Sequence, residues 1–257
     1  MFELFNTVLY EPLLNLLMWL YNTIAFQDLG IAIIILTILI KAVLFYPSLK
    51  QMRAQRSLQD AQPAIEELKK KYADNKEELG KQIMQYYKNN KVNPFSSCLP
   101  LLVQLPILLA LFEVFRAGVI TTDTGLLKPE QVEHLYGYLK TTYMSTPISH
   151  ISFGFLNLEK NHNILLAVAA GIMQFLQAKM LSTKKAPMRS AGSKDEDITA
   201  ALNKQMLYIF PIMTVIFGYQ FPAGLALYWF ISTFITWLQQ IYFLRLHAKS
   251  QEKKETA

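Results

Sequence analysis

Leu36-Thr37-Ile38-Leu39-Ile40-Lys41-Ala42-Val43-Leu44-Phe45-Tyr46-Pro47 is an apolar stretch with a cation inside it. It belongs to a run of 18 residues, Leu29 to Tyr46, that is apolar apart from Gly30, Thr37 and Lys41. This length is about the minimum for a helix that crosses a bilayer. An ammonium inside such a helix costs roughly 2.5–3.5 kcal/mol at mid-depth on insertion scales. Lys41 must therefore snorkel to the membrane surface, face a polar cavity among helices, or find an anion.

The composition indicates a polytopic helical membrane protein. The 257 residues are 52% hydrophobic with a mean hydropathy of +0.21, and the apolar residues come in long blocks. All these blocks fit one bundle, so we expect a single membrane domain with appendages on both sides. One cysteine, Cys98, excludes an internal disulfide and a cysteine-based metal cluster.

We predict an all-α fold with five transmembrane helices, an N-terminal interfacial helix and a cytoplasmic helical hairpin. The chain divides, in order, into an external amphipathic helix (1–27), span one (28–47), the cytoplasmic hairpin (48–93), span two (94–115), an external loop (116–160), span three (161–181), a cytoplasmic linker (182–204), span four (205–220), span five (221–244) and a basic cytoplasmic tail (245–257).

The N-terminal helix is expected to lie at the membrane surface. Its apolar residues recur at helical spacing, polar residues interrupt them, and Glu11-Pro12 breaks the run. Trp19 and Tyr21 would lie at headgroup depth, where amphipathic rings are favoured. A sixth spanning helix is the alternative.

The basic residues predict the orientation of the protein in the membrane. In the segment 48–93 we expect two antiparallel helices joined by a turn at Ala73-Asp74-Asn75, with Pro63 interrupting the first helix. With the N-terminus outside, the cytoplasmic segments, counted together with Lys179 at the cytoplasmic end of span three, carry 20 of the 25 Lys and Arg residues, and external segments carry four. The positive-inside rule favours this arrangement, which leaves the C-terminus in the cytoplasm.

Hydrolytic and metal chemistry find little support in the sequence. It contains no G-x-S-x-G, H-E-x-x-H or P-loop motif, and Glu113 has no second carboxylate in a span with which to act. The four histidines lack metal-ligand spacing and are expected to be solvated: His134, His150, His162 and His247. The polar groups inside the spans either join helices or line a cavity: Lys41, Gln104, Gln174, Gln177, Ser232, Thr233 and Gln239.

Four stretches carry a resemblance to a known family. The first is residues 91–107, K-V-N-P-F-S-S-C-L-P-L-L-V-Q-L-P-I, and the second is residues 221–229, F-P-A-G-L-A-L-Y-W. The third is residues 175–177, F-L-Q. The fourth is the stretch from Lys41 to Pro47 that was quoted first. The chain resembles YidC-type insertases of the YidC/Oxa/Alb family over nearly its whole length, in the short form without a large external domain. It departs from the family pattern at Ser96-Ser97, where glycine or alanine is usual, and at Asn161-His162-Asn163, which replaces Asp-Pro.

The resemblance implies a five-span bundle with a hydrophilic groove that opens to the cytoplasm and to lipid. It also implies an important basic residue in span one, where most members carry arginine and this chain carries Lys41. The charge is kept, but the bidentate fork of arginine is lost. Gln177 and Trp229 match groove-facing positions of the family, and we expect the groove to include Lys41, Thr37, Gln104, Gln177, Trp229 and Ser232.

The expected function is the insertion and folding of integral membrane proteins in the bacterial plasma membrane. Lipoproteins would be a further class of substrate. Lys41 would attract acidic segments of the substrate, with no cofactor, nucleotide or covalent step. Nascent membrane proteins and the lipid bilayer are the first partners, and a Sec-type translocon and the signal-recognition receptor are open alternatives. The ribosome would contact the basic tail, whose alternative role is membrane anchoring: Arg245, Lys249, Lys253 and Lys254.

Two other classes of function are less well supported by the sequence. A small channel or transporter predicts paired charges or related halves with broken helices, and the sequence offers one cation in the spans and no convincing internal repeat. An enzyme acting on lipid would need a nucleophile with a base in reach, and the sequence offers no such pair.

Overall fold

The computed structural model describes residues 2–93, 99–118, 122, 125–181 and 205–255. In these ranges the protein is mostly helical, with one small β-hairpin. The helices are α1 (Phe2–Phe5), α2 (Glu11–Thr23), α3 (Leu29–Val43), α4 (Phe45–Lys71), α5 (Lys76–Asn89), α6 (Leu99–Glu113), α7 (Pro129–Val132), α8 (Gly137–Tyr143), α9 (Ile164–Leu181), α10 (Phe210–Gln220) and α11 (Ala223–Glu255), and the antiparallel strands are β1 (Ile151–Ser152) and β2 (Leu156–Asn157).

The N-terminal segment packs in the core rather than lying apart from it. A π-helical turn at Asn6–Tyr10 leads directly into α2, so the predicted break at Glu11-Pro12 is wrong. Proline is tolerated there because its missing N–H falls in the first turn of the helix. Tyr21 is buried and its hydroxyl accepts a hydrogen bond from Ser149 N at 3.0 Å, so its predicted contact with headgroups is also wrong.

Helix α3 begins at its N-cap Asp28 and ends at Val43, and α4 leaves it at an angle of 64°. Among the described residues, no single helix is both long and apolar enough to cross a bilayer by itself, although α3 and α4 meet these two requirements as a bent pair. Two stretches, Ile164–Met180 and Leu207–Gln220, form shorter apolar helices.

Helix α4 continues through Pro63, so the predicted interruption is wrong. A proline inside a helix removes one backbone hydrogen bond and crowds the preceding turn. Here Ala61 and Ile65, on either side of the proline, are both buried, and their packing offsets that cost. The chain then turns at residues 72–75, where the Asn75 side chain accepts a hydrogen bond from Glu78 N and caps α5.

Small residues bring α9 and α10 into close contact. A Cβ on Gly171 would collide with Val215, and a Cβ on Gly218 would lie 3.2 Å from the Cα of Ala167. Such close backbone approach is typical of helices packed in membranes. Helix α9 also packs against α11, which packs in turn against α3. Helix α11 has 33 residues and is therefore about 50 Å long, so the predicted boundary between span five and the tail is not a helix end.

Residues 125–160 of the predicted external loop form a folded segment. Its apolar residues recur at helical spacing and are buried in the same core as α2: Val132, Leu135, Leu139 and Tyr143. The β-hairpin turns through Phe153 and Gly154, both with positive φ (54° and 79°). His150 is also buried, with Nδ1 3.8 Å from Glu159 Oε2, so the expectation that it is solvated is wrong.

Candidate functional site

Lys41 lies in the last turn of α3 and is buried, with 9% of its surface exposed. Its Nζ donates a hydrogen bond to Thr236 Oγ1 of α11 at 3.0 Å. Within the described ranges, no carboxylate lies within 4.0 Å of this ammonium. The ammonium therefore faces a neighbouring helix inside the bundle, and snorkelling along a lipid-facing surface does not account for its position.

A row of polar side chains on α11 continues from this contact. Thr236 Oγ1 donates to the backbone oxygen of Ser232 at 2.8 Å. Ser232 is buried and hydrogen-bonds with the hydroxyl of Tyr228. That hydroxyl also accepts a hydrogen bond from Gln104 Nε2 of α6 at 2.6 Å. We call Tyr228, Ser232 and Thr236 the polar strip, since together they link Lys41 of α3 to Gln104 of α6.

Helical geometry explains how one helix presents these groups together. Residues four apart lie on one face of a helix, and the polar strip has this spacing. Gln240 continues the strip by one more turn, and its side chain is buried with 5% of its surface exposed. A hydroxyl bonded to the preceding turn is a usual way to satisfy Ser and Thr inside an apolar helix. The face of α11 toward α3 is therefore polar, although the helix around it is apolar.

The structure brings together some of the predicted groove residues. Lys41, Gln104 and Ser232 are connected through the polar strip. Thr37 is fully buried one turn before Lys41, but its hydroxyl bonds to Ile33 O of its own helix at 2.6 Å. Thr37 therefore packs in the core and adds no hydrogen bond to the polar strip within the described ranges.

Gln177 and Trp229 are half-buried on α9 and α11, and no hydrogen bond joins either to the polar strip in the described ranges. Arg245 is exposed in the C-terminal half of α11. Three further basic residues belong to the same helix, and the structure describes only their backbone: Lys249, Lys253 and Lys254. Residues 94–98 of the longest family motif, which include Cys98, also lie outside the described residues.

Tyr228 and Thr236 were missing from the predicted site. Both could have been found from the spacing of polar residues at 228, 232, 236 and 240 in an otherwise apolar helix. As for metals, no group of three or more His, Cys, Asp or Glu side chains in the described part of the chain could hold an ion.

The family of the chain follows from comparison with known proteins. Residues 19–251 match the model of a family described as 60Kd inner membrane protein. A membrane protein insertase YidC of Fusobacterium nucleatum is 35% identical over 239 residues, which cover 92% of this chain and 97% of that protein.

Two longer relatives carry the same name. The protein of Chlorobium limicola is 32% identical over 84% of this chain, and the protein of Streptomyces avermitilis is 29% identical over 89% of it. The chain spans about a third of the first and about half of the second (33% and 54%). These proteins are insertases, and the family is not a known class of enzymes. The chain belongs to the YidC/Oxa/Alb family of membrane protein insertases.

Proposed function

We propose that this chain inserts membrane proteins into the plasma membrane of a bacterium, and that Lys41 draws acidic segments of the substrate into a polar groove. The observation that carries the proposal is the Lys41 ammonium. It is buried in an apolar bundle, bonded to a hydroxyl, and has no carboxylate within 4.0 Å in the described ranges.

The charge of Lys41 is the first physical reason. An ammonium has three N–H donors, and Thr236 accepts from one of them. The charge is not neutralised by an anion of the described protein, so a substrate carboxylate that enters the groove would meet an uncompensated cation. Their attraction is stronger than in water because the surroundings are apolar. Lysine acts as a point charge without arginine's fork, which suits brief contact with many different tails.

The polar strip is the second reason. Moving a polar tail across about 30 Å of hydrocarbon is the expensive step of insertion. Neutral hydroxyl and amide groups shorten the apolar path without holding the tail by charge. Tyr228, Ser232, Thr236 and Gln104 supply such groups beside Lys41. Transfer of the substrate's own apolar helix into lipid would then drive the step, at about 25 cal/mol per Å² of apolar area buried.

The proposal includes an orientation and partners. The N-terminus and the folded segment 125–160 would lie outside, and the α4–α5 hairpin would lie in the cytoplasm, where it would meet the substrate first. The 20 basic residues assigned to cytoplasmic segments favour this orientation. Five spanning segments, a ribosome contact through the C-terminal part of α11, and cooperation with a Sec-type translocon or the signal-recognition receptor are parts of the same proposal, as are lipoprotein substrates.

The test uses purified protein in liposomes and a single-span substrate with a short acidic N-terminal tail. Protection of the tail from external protease marks its passage into the lumen. A matched substrate carries Asn and Gln in place of the acidic residues. We expect Lys41→Ala to lower protection of the acidic tail about tenfold, because a charge-assisted hydrogen bond contributes roughly 1.5 kcal/mol. The neutral tail should lose much less, and Lys41→Arg should keep activity with both.

Lys140→Ala is the matched control, because it removes the same charge from an exposed position of α8. Equal losses with acidic and neutral tails would refute the electrostatic role of Lys41. Protection no greater than in empty liposomes would refute insertion by this chain alone. Selective, saturable solute flux through planar bilayers would instead favour a channel.

A further inference from the structure

A group of exposed apolar side chains lies at the N-terminal end of α3, on two turns that meet at Asp28. One turn links α2 to α3, and its Phe26 has 90% of its surface exposed. The other turn is the β-hairpin, where Ile151, Phe153 and Phe155 are exposed, Phe155 over 77% of its surface. The two turns are joined because Phe153 N donates a hydrogen bond to Asp28 Oδ2 at 2.7 Å. We call Phe26, Ile151, Phe153 and Phe155 the apolar tip.

The β-hairpin has the inverse of the pattern that is expected in water. An antiparallel hairpin on the surface of a soluble protein presents apolar residues to the core and polar residues to the solvent. Here His150 and Ser152 are buried, whereas the residues of the apolar tip that follow them are exposed. Residues 141–158 contain no Lys, Arg, Asp or Glu. The outer face of the hairpin is therefore suited to apolar surroundings.

A close contact with Gly30 fixes the position of the hairpin along α3. A Cβ on Gly30 would lie 2.8 Å from two atoms of the Phe153 ring and 2.9 Å from Cβ of Ser152. Ser152 Oγ also accepts a hydrogen bond from Gly30 N at 2.7 Å. Gly30 is in the first turn of α3, where the apolar run of the proposed first span begins. The Phe153 ring therefore lies beside the end of that span, at the depth where hydrocarbon meets the headgroups.

The backbone of both turns is strained. Phe26, Gln27 and Phe153 have positive φ angles of 53°, 59° and 54°, which are uncommon for residues with large side chains. Gln27 N donates a hydrogen bond to Tyr21 O at 3.1 Å, which holds the first turn in this conformation. Such strain persists where the surrounding structure imposes it, and it is concentrated at functional positions. The strain at Phe26 is not offset by burial of its ring, which indicates a contact outside the described chain.

We propose that the apolar tip inserts into the leaflet that surrounds the N-terminal end of α3. Large exposed apolar patches mark contacts with proteins or with membranes. Lipid is favoured here, because the Phe153 ring lies level with the first turn of α3 and because the hairpin that carries it has no charged residue.

The charge of Asp28 does not oppose this insertion, since its carboxylate accepts hydrogen bonds from three backbone N–H groups. The inserted tip anchors the end of α3 and the segment 125–160 to the membrane. This inference rests on the proposed placement of α3 in the bilayer. It is independent of Lys41 and of insertion activity.

The test measures the depth of a nitroxide spin label on the full chain with Cys98→Ser, in liposomes of phosphatidylethanolamine and phosphatidylglycerol. The label is attached to Phe155→Cys, to Ile38→Cys on an exposed face of α3, or to Lys140→Cys on an exposed face of α8. Molecular oxygen concentrates in hydrocarbon, whereas a polar nickel chelate stays in water. We expect the labels at 155 and 38 to collide several-fold more often with oxygen than with the chelate, and the label at 140 to show the reverse.

A second experiment places the label on Ile151→Cys and changes the tip beside it. A carboxylate is costly in hydrocarbon, so Phe155→Asp should move the label toward water. Lys140→Asp introduces the same group at an exposed position outside the apolar tip and should leave the label in lipid. Both side chains are exposed, so neither change removes core packing.

Each alternative result overturns the inference. A label at 155 in water, with the label at 38 in lipid, excludes insertion of the tip and leaves the placement of α3 intact. A label at 38 in water refutes that placement as well. An immobile label at 155 that collides with neither reagent assigns the tip to a protein contact, with a second copy of the chain as the first candidate. Equal responses of the label at 151 to the two Asp variants reduce the effect to net charge.

Discussion

The two ends of α3 hold charges in different ways. At the N-terminal end, the Asp28 carboxylate accepts three backbone hydrogen bonds, from Gly30 and Ile31 through Oδ1 and from Phe153 through Oδ2. At the other end, the Lys41 ammonium donates one hydrogen bond within the described ranges, to the hydroxyl of Thr236. The helix dipole favours both charges. Asp28 is thus part of the scaffold, whereas Lys41, in the proposed function, would use its remaining donors to bind a substrate carboxylate.

The same contrast holds for the two regions that these ends belong to. The segment 125–160 is fastened by side chains of α2 and by Asp28, which bond to its backbone groups far away in sequence, and such bonds fix one conformation. Around Lys41, the hydroxyl groups of the polar strip and the amide of Gln104 form hydrogen bonds between neighbouring helices and along α11. Substitutions should therefore destabilise the protein where segment 125–160 is attached and change its activity around Lys41.

The largest effect is expected for Asp28→Ala. The change removes the N-cap of α3 and leaves Phe153 N without its acceptor. A lost cap costs roughly 0.5–2 kcal/mol, and the exposed bond to Phe153 contributes roughly 0.5–1.5 kcal/mol, so we expect a loss of about 2.5 kcal/mol of unfolding free energy. Thermal unfolding in detergent measures it. Asp28→Asn keeps one carbonyl oxygen as the cap and should lose less; equal losses would mean that Asp28 does not act through these bonds.

Asn15→Ala should have the next largest effect. The buried Asn15 amide donates to His134 O at 2.8 Å and accepts from Tyr136 N at 2.7 Å, so it joins α2 to the segment 125–160. Its removal leaves two backbone groups unpaired, at a cost of about 2 kcal/mol. Hydrogen exchange should rise at Tyr136 while it stays constant in α10. A uniform rise over the whole chain would instead indicate a general loss of packing.

Glu11 provides a second side-chain contact between α2 and the residues around Tyr136. Glu11 Oε2 accepts a hydrogen bond from the Tyr136 hydroxyl at 3.0 Å. Slight burial, this bond to the carboxylate and the nearby negative charge raise the pKa of Tyr136. Glu11→Gln should therefore lower the pKa of Tyr136, which absorbance at alkaline pH reports.

At the other end of α3, Lys41→Met should act in the opposite direction on stability. A buried ammonium with one neutral partner is costly, and an apolar side chain of similar length removes that cost. We expect a gain of about 1–2 kcal/mol in thermal unfolding, together with the loss of acidic-tail insertion expected for Lys41→Ala. A destabilised Lys41→Met protein would place Lys41 in the scaffold, beside Asp28, and would remove the contrast.

Local patterns in the sequence predicted most of the helical architecture. The apolar run around Lys41, the turn near Asn75 and the family motifs all depend on residues close together in the chain. The folding of segment 125–160 could not be predicted in this way, because the bond between Asp28 and Phe153 joins residues 125 apart. Pro12 and Pro63 misled the prediction, since helix breaking depends on the position of the proline in the turn and on the packing around it.

The smallest effect is expected for Thr236→Val. This variant keeps the charge of Lys41 but removes the hydrogen bond that positions it. Valine has nearly the shape of threonine but cannot accept the bond from Lys41 Nζ. The ammonium would remain in the groove with its orientation less fixed, so insertion of an acidic tail should fall about threefold, less than for Lys41→Ala. That factor corresponds to roughly 0.7 kcal/mol, within the usual net contribution of one hydrogen bond. Thr236→Ser should restore the bond and the activity. If Thr236→Ser is as defective as Thr236→Val, the methyl group matters through packing, and the hydroxyl does not position Lys41.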